Sequence, residues 1–350
     1  MTAGVTPEPD LTASAGYARG LIRLPVAKGA DRAALTARSG IALEDLEDQD
    51  ARIPFHRYKA LMAAAKELTG EPALALHFGE RVDMAEISIL GLVCYASETM
   101  MDAFAQINRF GRLVLEVEGA AATGRFEHVR KHGALWLVDT RKPTNDFPEL
   151  AESDFASMIC GTRPFGDTPF VSEVHVTHAE PGHRTEYDRI FQAPTVFDAD
   201  WNAMKIDEAW LTHRIALQPR YVFGILSQHA EALLKSLASS KSERGKVEGV
   251  LMPILHTGDI GMDAVAARMR MSRQTLSRKL KAEGATFEKV LDDLRHRLAV
   301  DYLQGRKVSV NETAYLVGFS DPAAFSRAFK RWTGMSPRAM RLLEIRDDAS

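Results

Sequence analysis

Along the C-terminal third of the chain, apolar residues recur at helical spacing in short blocks that nearly repeat. AARMRMS at 266–272 matches AYLVGFS at 314–320, and LSRKLK at 276–281 matches FSRAFK at 325–330, at offsets of 48 and 49 residues. Each copy predicts a short apolar helix, a tight connection ending in Ser, and a longer helix rich in basic and hydroxyl side chains, which is the layout of a helix-turn-helix. Ser272 is placed to cap the longer helix of the first copy; Ser309-Val-Asn-Glu312 forms a capping box opening the second, and Asp321-Pro322 starts its longer helix. Leu276 and Leu280, four apart, face the core and turn Arg273, Gln274, Ser277, Arg278 and Lys281 outward. Phe325 and Phe329 do the same for Ala323, Ser326, Arg327 and Lys330. Between the copies, Thr286 caps a predicted helix over 287–304 with Val290, Leu291, Leu294, Leu298 and Tyr302 as its stripe. Such a rod is about 27 Å long, and successive major grooves on one face of a duplex recur about every 34 Å.

The first two thirds mix periods of 3.6 and 2. Phe55, Tyr58, Leu61, Met62, Ala65 and Leu68 predict a helix from Pro54 to Thr69 closed by Gly70, and Thr99 to Asp102 caps another that carries Phe104, Ile107 and Phe110. Strands are expected at Leu113 to Glu118, Gly124 to Arg130, Ala134 to Asp139 and Ser172 to His178. This is an α+β domain, helices plus an antiparallel sheet. Ile225, Leu226, His229, Leu233 and Leu237 mark a helix from Tyr221 to Leu237, and the small polar stretch 236–245 reads as a surface linker. The division is therefore an N-terminal tail at 1–29, a domain at 30–215, a linker helix and flexible linker at 216–246, and an all-α domain at 247–346.

Composition is that of an ordinary globular chain: 350 residues, 26% charged, 45% hydrophobic. The net charge of -3 hides an asymmetry, since residues 1–245 carry 26 Lys+Arg against 34 Asp+Glu whereas 246–346 carry 18 against 11. A basic domain joined to an acidic one is the footprint of a chain that touches phosphates with one half. Cys94 and Cys160 are the only cysteines, which leaves no four-cysteine zinc site and suits a reducing compartment. MTAGVTPEPD is no secretion signal, and the apolar run Ile87 to Ala96 is too short for a bilayer, so the cytoplasm is expected.

NETAYLVG at 311–318 and FSDPAAFSRAFKRWTGMSPRAMR at 319–341, with MSRQTLSRKLKAEGATF at 271–287, resemble the DNA-binding region of the AraC/XylS family of bacterial transcription regulators. The resemblance implies base contacts from Gln274, Ser277 and Arg278, and phosphate contacts from Arg273 and Lys281. Arg suits guanine and Gln suits adenine in the major groove. In the second copy Pro322, Ala323 and Ala324 replace long polar side chains, leaving Ser326 and Arg327 as the main candidates and implying a unit that positions more than it reads. HFGE at 77–80, SILGLVCYA at 88–96 and EYDRIFQAPTVFDADWNAMKID at 186–207 resemble the arabinose-binding-like sensor domain of one branch of that family. That likeness implies a small-molecule effector, of unstated identity, and dimerisation; Trp136, Tyr95 and Phe126 are candidates to line its pocket.

An enzyme is the weaker reading. The pairs His128/His132 and His175/His178 lie in no metal motif, and Glu149, Glu152 and Asp154 read as helix-dipole and solubility residues. No phosphate loop, nucleophile elbow or dinucleotide fingerprint is present. The expectation is a cytoplasmic regulator, an activator by family analogy, without metal or cofactor, whose partners are promoter DNA, a small metabolite, RNA polymerase and a second copy of the chain. The alternative from another class is an architectural DNA-binding protein without effector.

Overall fold

A short strand and a helix begin the described part of the computed structural model, which covers residues 11–120, 124–215, 220–257, 260–305 and 308–341. The chain divides into two compact units between Leu234 and Lys235. In the first, β1 (Thr12–Ser14) pairs antiparallel with β2 (Arg52–Pro54), and between them lie α1 (Ala15–Ala27) and α2 (Arg32–Ser39). The reading of 1–29 as a tail is thus corrected for its described part, since α1 buries Tyr17, Leu21 and Ile22. Ser14 caps α1 by accepting from the Tyr17 N–H. α3 (Phe55–Thr69) ends, as predicted, in a left-handed Gly70. α4 (Leu74–Arg81), α5 (Met84–Ile87), α6 (Ile89–Tyr95) and α7 (Met100–Val114) follow.

Thr99 and Asp102 form a full capping box on α7. The strand expected at Leu113 to Glu118 does not form: α7 runs on to Val114, and only Leu115 makes an isolated bridge, to Ala13. Phe110, Leu113 and Val114 are buried on α7, and the Arg52 guanidinium donates to the Arg112 and Leu113 carbonyls at its end. Tertiary capping overrides the local alternation there.

The sheet is built from β3 (Phe126–Lys131), β4 (Ala134–Asp139), β5 (Val171–His175), β6 (Thr195–Val196) and β7 (Asn202–Ile206), in the order β3-β4-β7-β5-β6. All pairs are antiparallel except β5 with β6. α8 (Glu149–Thr162) and α9 (Arg184–Phe191) complete this unit together with most of α10 (Arg220–Lys241). Leu135 and Leu137 of β4 join the main core with Phe155 of α8, while Trp136 and Val138 pack on the opposite face beside Ala203 and Trp201. α4 and α8 cross closely at Gly79 of the HFGE segment, where a Cβ would lie 2.1 Å from the Ser153 carbonyl oxygen. Only glycine permits that approach.

α10 is longer than predicted and continues through part of the stretch expected to be a flexible linker; Ser242 then caps α11 (Glu243–Leu251). On α10, Ala230 and Leu237 are buried, whereas Ile225, assigned to its apolar stripe, is 51% exposed. Residues 216–219 of the expected linker and 342–346 of the expected DNA-binding domain lie outside the described residues. The second unit continues with α12 (Met262–Arg268), α13 (Arg273–Ala282), α14 (Phe287–Gly305), α15 (Val310–Leu316) and α16 (Pro322–Thr333). Its core joins Leu276 and Leu280 of α13, Val290 and Leu294 of α14, and Phe325 and Phe329 of α16. On α14 the inward stripe continues through Ala299 and Leu303, and Tyr302, expected there, is exposed.

Candidate nucleic-acid interface and an internal cavity

The two helix pairs, α12/α13 and α15/α16, are joined by the same turn. In the first, Arg270 adopts φ +54°, its N–H donates to the Ala267 carbonyl at 3.0 Å, and the Met271 N–H donates to the Ala266 carbonyl at 3.0 Å. In the second, Gly318 adopts φ +79°, its N–H donates to the Tyr315 carbonyl at 2.9 Å, and Phe319 donates to the Ala314 carbonyl at 2.9 Å. Both are Schellman-type closures with a left-handed residue after the helix. The next helix is capped by Ser272 in one copy and by Asp321 in the other. One additional residue between turn and cap in the second copy accounts for the change of offset from 48 to 49.

With Leu276 and Leu280 buried, α13 presents Arg273, Gln274, Arg278 and Lys281 to solvent, and Ser277 is half-buried. Arg273 is engaged, its guanidinium 2.8 Å from Asp263 of α12. On α16, Ala323, Arg327 and Lys330 are exposed, but Ser326 is half-buried and its hydroxyl donates to the Pro322 carbonyl at 2.9 Å. Arg327 approaches Asp321 at 3.8 Å. Three basic ends, Arg278, Lys281 and Lys330, make no ion pair among the described residues. Such a row on the exposed face of helices that follow tight turns is suited to phosphates and base edges.

The central α14 fixes the second turn through a residue that sequence reasoning missed. Arg295 donates from Nε to the Val317 carbonyl at 3.1 Å and from Nη2 to the Gly318 carbonyl at 2.7 Å, with its guanidinium 4.5 Å from the centre of the Phe319 ring. α11 is tied to the first copy by Lys279 to Glu243 at 3.0 Å, and to α14 by Arg244 to Asp293 at 3.0 Å and Arg297 to Glu248 at 2.7 Å.

The first unit contains a cavity of about 440 Å³ among α6, α7, α8 and the start of β3, with Tyr17 of α1 reaching it. This volume falls in the range of small-molecule sites. One face of α8 lines it at helical spacing with Asp154, Ser157, Met158 and Gly161. Tyr95 and Phe126 line it too; Trp136 does not, being on the far face of the sheet, 5.4 Å from Trp201 and 4.7 Å from His175 between ring centres. Both faces of β4 are apolar, so alternation alone does not say which one joins the main core.

Asp154, expected to serve solubility, is instead part of a buried charge cluster. Arg125 grips Asp139 through Nε and Nη2 at 3.1 and 2.8 Å and meets Asp154 through Nη1 at 2.7 Å. Burial opposes ionisation of Asp139, yet Arg125 and Arg141 outweigh it and hold its pKa below the ordinary value. For Asp154 burial wins over Arg125 and raises the pKa. Glu152, also assigned to the surface, is buried and accepts from the Tyr187 hydroxyl. Cys94 lines the cavity with its thiol pushed up to about 12 by burial.

The histidine pairs serve separate contacts. His128 packs edge-on to Phe104 and His132 sits in the β3–β4 turn at φ +52°, while His175 bonds to Glu173 and Trp201, and His178 to Tyr187 and the Ala179 carbonyl. Among the described residues, no group of three or more His, Cys, Asp or Glu is arranged to hold a metal ion, and no helix is long and apolar enough to cross a membrane.

Residues 29–215 match the family described as arabinose-binding domain of AraC transcription regulator, N-terminal, and residues 265–342 match a helix-turn-helix domain family. The chain is similar to the ornithine utilization regulator of Pseudomonas aeruginosa, at 28% identity over 331 residues that cover 93% of this chain and 95% of that protein. It is similar to the transcriptional regulator VirS of Mycobacterium tuberculosis at 24% identity, covering 73% of this chain and 75% of VirS. Among solved structures, the transcriptional regulator CdpR from Pseudomonas aeruginosa aligns over 92% of this chain and 98% of its own, at 19% identity and a TM-score of 0.40.

Proposed function

The chain belongs to the AraC family of transcription regulators, and from that premise we propose that it reads one promoter sequence through α13, holds the duplex through α16, and answers to a small molecule in the cavity of its first unit. It is a DNA-binding regulator with a sensor domain. The observation that carries the finer reading is the twice-built turn, which delivers one helix with Gln274, Arg278 and Lys281 exposed and a second with Arg327 and Lys330 exposed.

Side-chain chemistry divides the labour. On α13, Gln274 and Arg278 have the bidentate geometry that distinguishes adenine and guanine in the major groove, and Lys281 suits a phosphate. Arg273, tied to Asp263, is better placed to lie along the backbone than to reach into the groove. On α16 the Ser326 hydroxyl is committed to its own helix, so Arg327 and Lys330 are left as the contacts and this copy positions more than it reads. The 19 residues of α14 span about 28 Å, which supports engagement of two grooves on one face of the duplex. The proposal includes activation through RNA polymerase, a homodimer, and action in the cytoplasm, where promoter DNA is met. Ligand would act by favouring one of two arrangements of sensor and reader.

The test is a footprint of full-length protein on genomic fragments selected at a fixed salt concentration. Two protected major-groove segments about one helical turn apart per subunit are expected. Diffuse protection without sequence preference, unchanged by any ligand, would favour the architectural alternative.

A further inference from the structure

The chemistry of the cavity wall narrows what the sensor unit accepts. Its lining is mostly aliphatic and aromatic, with Met100, Phe104 and Ile107 on α7 facing Met158 on α8 and Phe126 on β3. The walls are largely helical, and helix backbone groups are already bonded within their own helices, so polar partners for a ligand come mainly from side chains. Few have capacity to spare. Asn108 uses both amide ends on Phe126, its Nδ2 donating to the carbonyl at 2.7 Å and its Oδ1 accepting from the N–H at 2.9 Å. The Thr162 hydroxyl donates to the Ile159 carbonyl at 2.8 Å. Every nitrogen of Arg125 faces Asp139 or Asp154. Arg112 gives Nη2 to Glu116 at 3.1 Å, and its side chain is 57% exposed, at the solvent edge of the wall and not in its interior. The Tyr95 hydroxyl is shared with Asp83. Among the described residues what remains is the Asp154 carboxylate, whose Oδ1 has only a 3.5 Å contact from the Tyr17 hydroxyl and whose Oδ2 lies 2.7 Å from Arg125 without a hydrogen bond, with Ser157 one turn along the same face of α8.

Resting on the reading of this cavity as the sensor site, we infer that it takes an uncharged, largely apolar molecule with a single hydrogen-bond donor, the donor placed on Asp154 and the apolar body against α7 and α8. A ligand carboxylate would meet Asp154 at close range while Arg125 is already shared between two acids. A ligand ammonium would meet the Arg125 guanidinium, 2.7 Å from Asp154. Away from the exposed Arg112, neither charge finds a partner that is not already shared with the Arg125 cluster, and a buried charge without one is costly. A polyol such as a free sugar fares no better, because each of its hydroxyls must be satisfied and the described residues of the wall offer too few groups to do so. The inference therefore departs from the sugar that gives the domain family its name.

The experiment is isothermal titration calorimetry of the full-length protein with five probes: octan-1-ol, octanoate, octylammonium, L-arabinose and L-ornithine. One octan-1-ol per chain is expected, with both charged octyl probes at least tenfold weaker and the two polar probes unbound. Two variants fill the cavity from opposite walls: Gly161→Phe on α8 and Gly111→Phe on α7, at positions where an added Cβ meets no atom within 4 Å. Each should abolish octan-1-ol binding while the folded circular-dichroism spectrum is kept. Equal or tighter binding of either charged probe overturns the inference, as does octan-1-ol binding that survives both variants, or no octan-1-ol binding at all. DNA affinity measured alongside separates the two readings: a polar or charged probe that binds, shifts DNA affinity and is blocked by the variants leaves the sensor cavity standing and this ligand class refuted. If no probe and neither variant shifts DNA affinity, the sensor reading fails with it.

Discussion

Gly318→Ala tests the claim that the second helix-turn-helix hangs on a tight backbone approach. Two costs add. The residue sits at φ +79°, and a left-handed conformation costs a residue with a Cβ about 1 to 2 kcal/mol. The new methyl would lie 2.4 Å from the Leu255 carbonyl oxygen, an atom of the backbone that has no rotamer to yield, and 3.4 Å from Arg295 Nη2. Separating a packed pair of that kind adds about 1 to 3 kcal/mol, for a total of about 2 to 5 kcal/mol. The matching position in the first copy is the control: Arg270 already carries a Cβ at φ +54°, so Arg270→Gly should relieve backbone strain, offset it by the freedom glycine gains when unfolded, and end within about 1 kcal/mol of the parent. Hydrogen exchange read by mass spectrometry on the full-length protein resolves α15 and α16 from the rest. Their amides should exchange at least about thirtyfold faster in Gly318→Ala, the equivalent of about 2 kcal/mol, with α12 and α13 less affected. Parental exchange in α15 and α16 would show that the chain does not pass Leu255 this closely.

Other substitutions separate reading from holding. Arg278→Ala should cost about 1 to 3 kcal/mol at one base pair and relax specificity there, whereas Lys281→Ala should weaken all sequences alike and lower the salt slope by about one; a binding selection repeated at several salt concentrations distinguishes them. Arg295→Met should loosen the α15–α16 turn and broaden the footprint of the second copy while the first copy's sequence preference, measured on a half-site, is kept. Pro at Leu294 breaks α14 at a cost of about 3 kcal/mol or more, and a surviving two-groove footprint would contradict the spacer role. Asp139→Asn leaves Arg125 with Asp154 alone, an expected loss of about 3 to 5 kcal/mol. Because folding holds Asp139 below its ordinary value of 3.8, its stabilisation is complete above that pH and fades as acid is added, so the variant and the parent should converge in acid unfolding curves.

The paired helices were legible because their signals are local. Ser272, Ser309 with Glu312, and Asp321 announce helix starts by side chains that bond within three residues, and the two copies confirm one another. Errors appear where a contact from far along the chain decides. Arg52 prolongs α7 past Leu113, from about 60 residues away. Tyr302 and Leu303 are both apolar and adjacent, and only the packing of α14 selects Leu303 for the core.

The cavity was illegible for a different reason. Met100, Phe104 and Ile107 have the spacing of an ordinary core stripe, and nothing in one sequence separates a stripe that packs from one that borders a space. The exception is α8, where Asp154, Ser157 and Gly161 share one face with Met158, setting a carboxylate, a hydroxyl and a glycine that has no turn to make where a core stripe would be apolar. Within a helix glycine costs about 1 kcal/mol relative to alanine, and no neighbour lies within 4 Å of where its Cβ would be. Gly161 is exposed, so packing does not require it, and on the proposed reading of the cavity it is there to keep that space open. The same logic makes Gly161→Ala informative by itself: it should raise the unfolding midpoint of the first unit while reducing affinity for the cavity's ligand. A loss of stability in that variant would mean that Gly161 answers to packing, and the argument for a maintained space would fail.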